Sequence, residues 1–359
     1  MTKRNPTMFD VAAAAGVSVA TVSRALNGGK IAPVTQRLVE GAVARLGYRR
    51  NTLARGLVTG RTGVIGVLIP DVVGPLYAQM ARGVEDVLGP LGMHLMMVTD
   101  NRDPAQERAA AELLLERRVD GLIIIGSRLA HAALERLVGG VPVVLIQRES
   151  AGEAEGAEDG LRLVGLDNRG GAALATEHLL AHGHRRIVHV AALRRDGEAR
   201  LRSYCERLEA AGLEPHVIQE DGSEEGGYRA GQGLVEGPLQ GPGPSAVFCG
   251  NDRTALGLYH ALKSAGLHVP DDVSVVGFDD LPWTRYLDPP LTTVRQPGRA
   301  MGRAAAEGVL AALRGEASPG QLQIPAELVV RASVTTLGAA STGKSLKAPK
   351  GGKHSARLS

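Results

Sequence analysis

Aromatic side chains are scarce in this chain of 359 residues: three Phe, six Tyr and one Trp, 3% in all. Ring packing therefore cannot build the interior, and the core falls to Ala, Val, Leu and Ile within a hydrophobic fraction of 44%. Only two cysteines occur, Cys205 and Cys249, too few for a disulfide framework. The compartment this implies is a reducing cytoplasm. No apolar run approaches the roughly 20 residues that span a bilayer as a helix. Met1 to Asp10 holds no apolar stretch of the kind a secretion signal needs, so export is not expected. The length exceeds one typical core and suits a small head on a two-lobed body.

Charge is unevenly placed. Residues 1–61 carry ten Lys and Arg against Asp10 and Glu40, a net +8. Residues 338–359 carry five basic side chains and no acid. Between them, 26 basic and 36 acidic residues leave a net −10, so the overall +3 conceals a basic head on an acidic body. That pattern predicts one polyanion-binding module joined to a body that does not bind polyanions.

The head reads as short helices. Met8 to Ala15 is apolar, Gly16-Val17-Ser18 breaks it, and Val19 to Leu26 resumes helical character. Gly as a stop and Ser as an N-cap within three residues mark a tight turn between two helices. A third helix is expected from about Thr35 to Leu46, and together the three form a helix-turn-helix module. Phe9, Val11, Ala12, Val22, Leu26 and Leu38 are its expected core. From Gly63 onward, short apolar runs alternate with amphipathic segments. The runs are Val64–Ile69, His94–Val98, Leu122–Ile125, Val143–Ile146, Leu163–Leu166, Ile187–Val190, Ala246–Cys249 and Val273–Val276. Such alternation predicts parallel sheets covered by helices, in two lobes.

Asp10-Val11-Ala12, then Ala15 through Asn27 without a gap, closely resemble the LacI/GalR family of bacterial repressors. Further matching stretches are Leu46-Gly47-Tyr48, His182-Gly183-His184-Arg185-Arg186-Ile187, Asn251-Asp252, Val275 to Asp280 and Pro290 to Pro297. The resemblance covers about residues 7–337. It implies an N-terminal all-α helix-turn-helix head plus an α/β two-lobed body like the periplasmic sugar-binding proteins. The expected divisions are a head at 1–50, a hinge helix and linker at 51–62, an effector-binding and dimerisation domain at 63–337 and a disordered basic tail at 338–359. Within the domain, lobe 1 is expected at about 63–162 and 296–318, and lobe 2 at about 163–293 and 320–337. The implied protein is a regulator, a homodimer or a dimer of dimers and most often a repressor, that binds pseudo-palindromic operator DNA in the cytoplasm. Its operator affinity would answer to a sugar or polyol effector. No cofactor, metal, membrane or catalytic role is implied.

Residue by residue, the resemblance places Val19, Ala20 and Arg24 at the major groove, with Ser18 as the N-cap. Arg bridges the acceptors of guanine, and small apolar groups meet thymine methyls. Thr7, Thr21, Ser23 and Asn27 are sized to hold phosphates and fix register. Asn51 to Leu57 matches the family's hinge helix, with Arg55 on the backbone and Leu57 as a minor-groove wedge. Two departures stand out. Arg50 replaces a common Pro before Asn51, and Gly56 inside the hinge costs roughly 1 kcal/mol relative to Ala. For the effector, the resemblance points to Tyr77, Gln147, Arg148, Arg200, Asn251 and Asp279. A guanidinium, an amide and a carboxylate converging on a cleft suit vicinal hydroxyls. Gln147 stands where the family often has Asp, and Gly222 where it often has a stacking aromatic.

Other signals lead away from an enzyme. Gly338 to Ser345 fits the P-loop pattern, but the Pro- and Gly-rich continuation cannot supply the helix whose N-terminus faces phosphates. His178, His182 and His184, near Glu177, are read as a helix end and a following strand rather than a metal site. The alternative from another class is a cytoplasmic sugar-binding or sugar-modifying protein with a vestigial head.

Overall fold

The computed structural model describes residues 6–26, 29–48, 61–147, 161–192, 195–236, 243–316 and 320–337. The chain divides into two compact units, Met1–Thr62 and Gly63–Ser359.

In the first unit, α1 (Met8–Ala15), α2 (Val19–Leu26) and α3 (Pro33–Leu46) close on Val11, Ala12, Val22, Ala25, Val39 and Ala42. A capping box opens α1: Asp10 Oδ2 accepts from the Thr7 N–H at 2.7 Å, and Thr7 Oγ1 accepts from the Asp10 N–H at 3.4 Å. Gly16, left-handed at φ 65°, ends it. Ser18 starts α2, its Oγ accepting from the Thr21 N–H at 3.1 Å. The two helices are bent by 103° across this turn, within the range of a helix-turn-helix. Phe9 and Leu38 correct the expected core, being 72% and 52% exposed. Phe9 lies about 200° around α1 from Val11, and Leu38 about 100° around α3 from Val39, so neither shares the inward face.

The second unit holds two sheets. β1 (Val64–Ile69), β2 (His94–Thr99), β3 (Gly121–Ile125), β4 (Val143–Ile146), β5 (Arg162–Leu166) and β11 (Gln321–Ile324) pair in the order β11-β5-β4-β3-β1-β2, all parallel. β6 (Ile187–Ala192), β7 (His216–Glu220), β8 (Ala246–Cys249), β9 (Ser274–Asp279), β10 (Thr292–Arg295) and β12 (Glu327–Val329) pair as β12-β10-β9-β8-β6-β7. Only β12 runs antiparallel there, against β10. Helices α4 (Pro75–Leu88), α5 (Pro104–Glu116), α6 (His131–Val138) and α11 (Gly298–Leu313) cover the first sheet. Helices α7 (Asn168–Ala181), α8 (Arg195–Ala210), α9 (Glu224–Glu236) and α10 (Asp252–Ser264) cover the second. Purely apolar strands such as β3 and β4, buried along their length, follow from helices on both faces.

Strand pairing corrects the expected lobe boundaries. Leu163–Leu166 continues beside β4, and Leu163 sits opposite Gln321, so both β5 and β11 belong to the first lobe. Without β5, the buried strand β4 would present unpaired backbone groups at a sheet edge, which is costly away from water. The chain therefore crosses between lobes near Asp167, at Gln296–Pro297 and near Pro325–Ala326. The Asp167 N–H donates to the Ile324 carbonyl at 2.9 Å, tying two crossings together. Residues 149–160, residues 51–60 of the hinge segment and the tail lie outside the described residues.

Helix packing is closest where glycines meet backbone. A Cβ on Gly302 of α11 would lie 1.9 Å from the Met80 carbonyl of α4, and one on Gly257 of α10 would lie 1.8 Å from the Glu224 carbonyl of α9. Among the described residues, no single helix is long and apolar enough to cross a membrane.

Candidate functional site

In the head, the exposed side of α2 presents Ala20 and Arg24, one turn apart. Ser18 and Thr21 stand beside them with their hydroxyls 2.9 Å apart. Val19 is half-buried against the head core, and Ser23 is half-buried. Thr7 caps α1, its Oγ1 donating to Asp10 Oδ2 at 2.7 Å. Asn27, Asn51, Arg55 and Leu57 lie outside the described residues.

In the body, a cavity of about 500 Å³ opens at the carboxyl ends of strands from both sheets, where ligands of open parallel sheets sit. From the first lobe come Pro70 after β1, Arg102 after β2, Ser127 and Arg128 after β3, Gln147 after β4, and Tyr77 in the first turn of α4. From the second come Ala191 and Ala192 at the end of β6, Glu198 and Leu201 on α8, and Gln219 on β7. A smaller recess of about 30 Å³ shares Tyr77, Arg102, Gln147 and Ala192 and adds Arg200, Asn251, Arg253 and Asp279. Five of the six expected effector residues thus converge on one cleft. The sixth, Arg148, lies outside the described residues.

The recess is tightly wired. Arg200 is buried, with Nε donating to Asn168 Oδ1 at 2.9 Å and Nη1 to the Gly250 carbonyl at 2.6 Å. Its Nη2 reaches Gln296 Oε1 at 3.5 Å, Asp279 Oδ1 lies 3.9 Å from Nη1, and the guanidinium stacks 3.6 Å above the Phe278 ring. Asn251 caps α10, its Oδ1 accepting from the Thr254 N–H at 2.8 Å, while Nδ2 donates to the Gly222 carbonyl at 3.0 Å. Gly222, where a stacking ring was the family alternative, contributes backbone instead. Beneath Asp279 lies Asp252, fully buried, accepting from the Leu281 N–H at 2.8 Å and the Thr293 hydroxyl at 2.6 Å. Burial first, and the charge of Asp279 second, push the Asp252 carboxyl well above the usual carboxylate range.

Backbone conformation marks the same place. Arg102 (φ 62°), Gln147 (φ 57°), Asp279 (φ 117°) and Asp280 (φ 53°) are non-glycine residues in left-handed regions. Such residues persist only where the surroundings over-determine them. Arg331 and Arg295 both grip Asp280, and their hydrogen bonds outweigh burial to hold its carboxyl below the usual range.

Sequence reading missed Arg102, Ser127, Arg128, Glu198, Gln219 and Arg253. The signal available for Ser127 and Arg128 was their position directly after a fully apolar strand, at its carboxyl end. The histidines are otherwise employed. His184 Nδ1 meets Ser245 Oγ and Nε2 meets the Thr335 carbonyl, both at 3.0 Å, and the His178 and His182 rings lie 4.2 Å apart. Among the described residues, no group of three such side chains is arranged to hold a metal ion. The P-loop-like stretch lies outside the described residues.

A helix-turn-helix head, followed by two parallel α/β lobes with a polar cleft at their strand ends, defines a ligand-responsive DNA-binding regulator. Residues 7–51 match the model described as bacterial regulatory proteins, lacI family, and residues 176–334 match the periplasmic binding protein-like domain. The HTH-type transcriptional repressor CytR of Escherichia coli K12 is 33% identical over 338 residues, 92% of this chain and 97% of that protein. The ribose operon repressor of Escherichia coli K12 is 34% identical over 305 residues, 83% and 90% of the two chains. The crystal structure of the lac repressor dimer bound to operator and the anti-inducer ONPF covers 92% of this chain and 100% of its own. Its TM-score is 0.83 at 28% identity. The chain belongs to the lacI family of bacterial regulatory proteins and is a DNA-binding transcriptional regulator.

Proposed function

We propose that this regulator is a homodimeric repressor that leaves a two-fold symmetric operator when a polyhydroxylated, sugar-like effector fills the cleft. The observation that carries the effector reading is the convergence of Gln147 and Asp279, both in left-handed backbone, with Arg200 and Asn251 at the strand ends of two lobes. Amide, carboxylate and guanidinium together supply the paired donors and acceptors that vicinal hydroxyls need. A relative named for a ribose operon supports the same chemistry. In the head, Arg24 reads a guanine and Ala20 a thymine methyl, Thr7, Thr21 and Ser23 face phosphates, and Ser18 caps the reading helix. Val19, half-buried, takes the major-groove position beside Ala20 that the family resemblance gives it. Asn27, Asn51, Arg55 and Leu57 take the phosphate, hinge and wedge roles that the family resemblance gives them, and Arg148 joins the cleft. The chain acts by binding, not by catalysis.

The test is fluorescence anisotropy on DNA from upstream of its own gene, against scrambled DNA of equal length, at two salt concentrations. The expected result is a preference for the native DNA that survives the higher salt and is lost on adding the effector. Arg24→Ala should cost about 1–3 kcal/mol at one base pair and relax specificity there. Undiminished operator binding by Arg24→Ala would show that another element reads the bases. Equal, salt-sensitive binding to both DNAs, with sugar binding intact, would favour a binding protein with a vestigial head.

A further inference from the structure

The arginines of the cleft differ in what neutralises them. Arg200 has Asp279 3.9 Å away. Arg102 is ion-paired with Asp71. Arg253 forks onto Glu224, at 2.8 Å from Nε and 2.6 Å from Nη2. Arg128 alone among these four has no carboxylate within salt-bridge distance among the described residues. Its Nη1 donates to the Arg102 carbonyl, which leaves most of its five N–H donors unspent. The side chain is half-buried and lines the large cavity.

The acids near Arg128 are committed to local hydrogen bonds. Glu107 is buried and accepts from the Ser127 hydroxyl at 2.5 Å and from the Arg128 backbone N–H at 2.8 Å. Asp103 caps α5 through the Ala105 N–H at 2.8 Å. Asp100 is buried, accepts from the Arg102 N–H at 2.7 Å, and is raised above its ordinary value by that burial. Glu107 thus fixes the backbone that carries Arg128, while Asp100 and Asp103 act on its guanidinium only across space, with no hydrogen bond to it, and the side chain lines the cavity. Ser127, Gln147 and Arg102 stand on the same wall. Glu198, on the opposite wall, is exposed and keeps its hydration.

We propose that the effector carries an acidic group seated on Arg128, so that the ligand is a sugar acid or a sugar phosphate. The inference rests on the effector reading of the cleft. A carboxylate or phosphate accepts two parallel N–H bonds from one guanidinium, a match that neutral hydroxyls approach only in part. The hydroxylated remainder then reaches the Asp279 and Asn251 end, and the cavity volume falls in the range that encloses whole small ligands.

The full-length protein is titrated calorimetrically with aldonic acids, uronic acids and pentose and hexose phosphates, each beside its uncharged parent sugar. Inorganic phosphate serves as the headgroup alone. An acid or phosphate is expected to bind about tenfold or more tightly than its parent, the gain of one charge-assisted contact. Arg128→Gln should erase that preference in a protein that still unfolds cooperatively, and Arg108→Gln, at an exposed arginine outside the cleft, should preserve it. Comparing the carboxylates with the phosphates identifies which acid is read. Parents that bind as well as their acids, or a preference that survives Arg128→Gln, would overturn the inference. Binding that still falls in Asp279→Ala would then keep the effector cleft intact. Silence of the entire panel would overturn both.

Discussion

Arg200 was expected to hold the effector, yet the structure gives its guanidinium mostly to the protein. Arg200→Lys keeps the charge and removes the planar fork. Two short bonds are at stake, to Asn168 at 2.9 Å and to the Gly250 carbonyl at 2.6 Å, besides the stack on Phe278. An ammonium can keep one of these acceptors, so at least one buried acceptor loses a charged donor, and Asp279 loses its delocalised neighbour. Hydrogen bonds from charged groups contribute about 1.5–3 kcal/mol each, and stranding a buried partner adds to the loss, so about 3–5 kcal/mol is expected. At roughly 2 °C per kcal/mol for a domain of this size, the midpoint of the body should fall by about 6–10 °C. Thermal unfolding by circular dichroism measures it, with effector titration alongside. A midpoint within about 2 °C of the parent, with effector affinity gone, would refute the reasoning. Arg200 would then be a ligand contact first and a strut second.

Gly302→Ala puts a Cβ 1.9 Å from the Met80 carbonyl and forces α4 and α11 apart, at a cost of about 1–3 kcal/mol or more. Gly165→Ala, with nothing within 4 Å, is the matched control, and an equal midpoint for both variants would contradict the packing account. Burial lowers the pKa of both His184 and His189 from 6.5 to about 4. The unfolded chain therefore binds a proton as pH falls through 6.5, and the folded chain only near 4. Their contribution is complete above pH 6.5 and is lost progressively toward pH 4, by up to about 3 kcal/mol each. Urea midpoints at pH 7.5 and 5 should differ accordingly. His189→Phe should roughly halve the difference, and identical midpoints in the parent would exclude the mechanism.

The parallel sheets were legible because fully buried strands such as Leu122–Ile125 leave no polar alternation. The head was legible because Gly16 and Ser18 place a stop and a cap within three residues. Helix α9 was not, since Gly226, Gly227, Gly231 and Gly233 argue against helix by propensity. Tertiary packing overrides them: Gly227 and Gly257 are the points where α9 and α10 touch backbone to backbone. β7, exposed at a sheet edge and reading His-Val-Ile-Gln-Glu, and the short β10, β11 and β12 carried too little apolar pattern to stand out. Five cleft residues were found through family resemblance, but their partners were not. The fold shows that Asn251 gives one acceptor to the α10 cap and one donor to Gly222, while Arg128, unremarkable in sequence, has no carboxylate within salt-bridge distance among the described residues.

The wiring around Arg200 also bears on how a bound ligand acts. Among the described residues, the chain crosses between lobes three times, and this one side chain touches residues at two of the crossings. Asn168 opens α7 directly after the first, and Gln296 stands at the second. Asp279, which closes β9, accepts from the Gln296 N–H through its own carbonyl at 3.2 Å. On the proposed effector reading, a ligand that draws on Asp279 or Arg200 would compete with bonds made by residues at two of the crossings. A response through lobe movement would then need no long relay, because the crossings adjoin the proposed site. The ligand shifts the lobes by as much as it binds one arrangement of these crossings better than the other. On that account, substitutions at Asn168 and Gln296 alter the response to effector more than they alter its affinity.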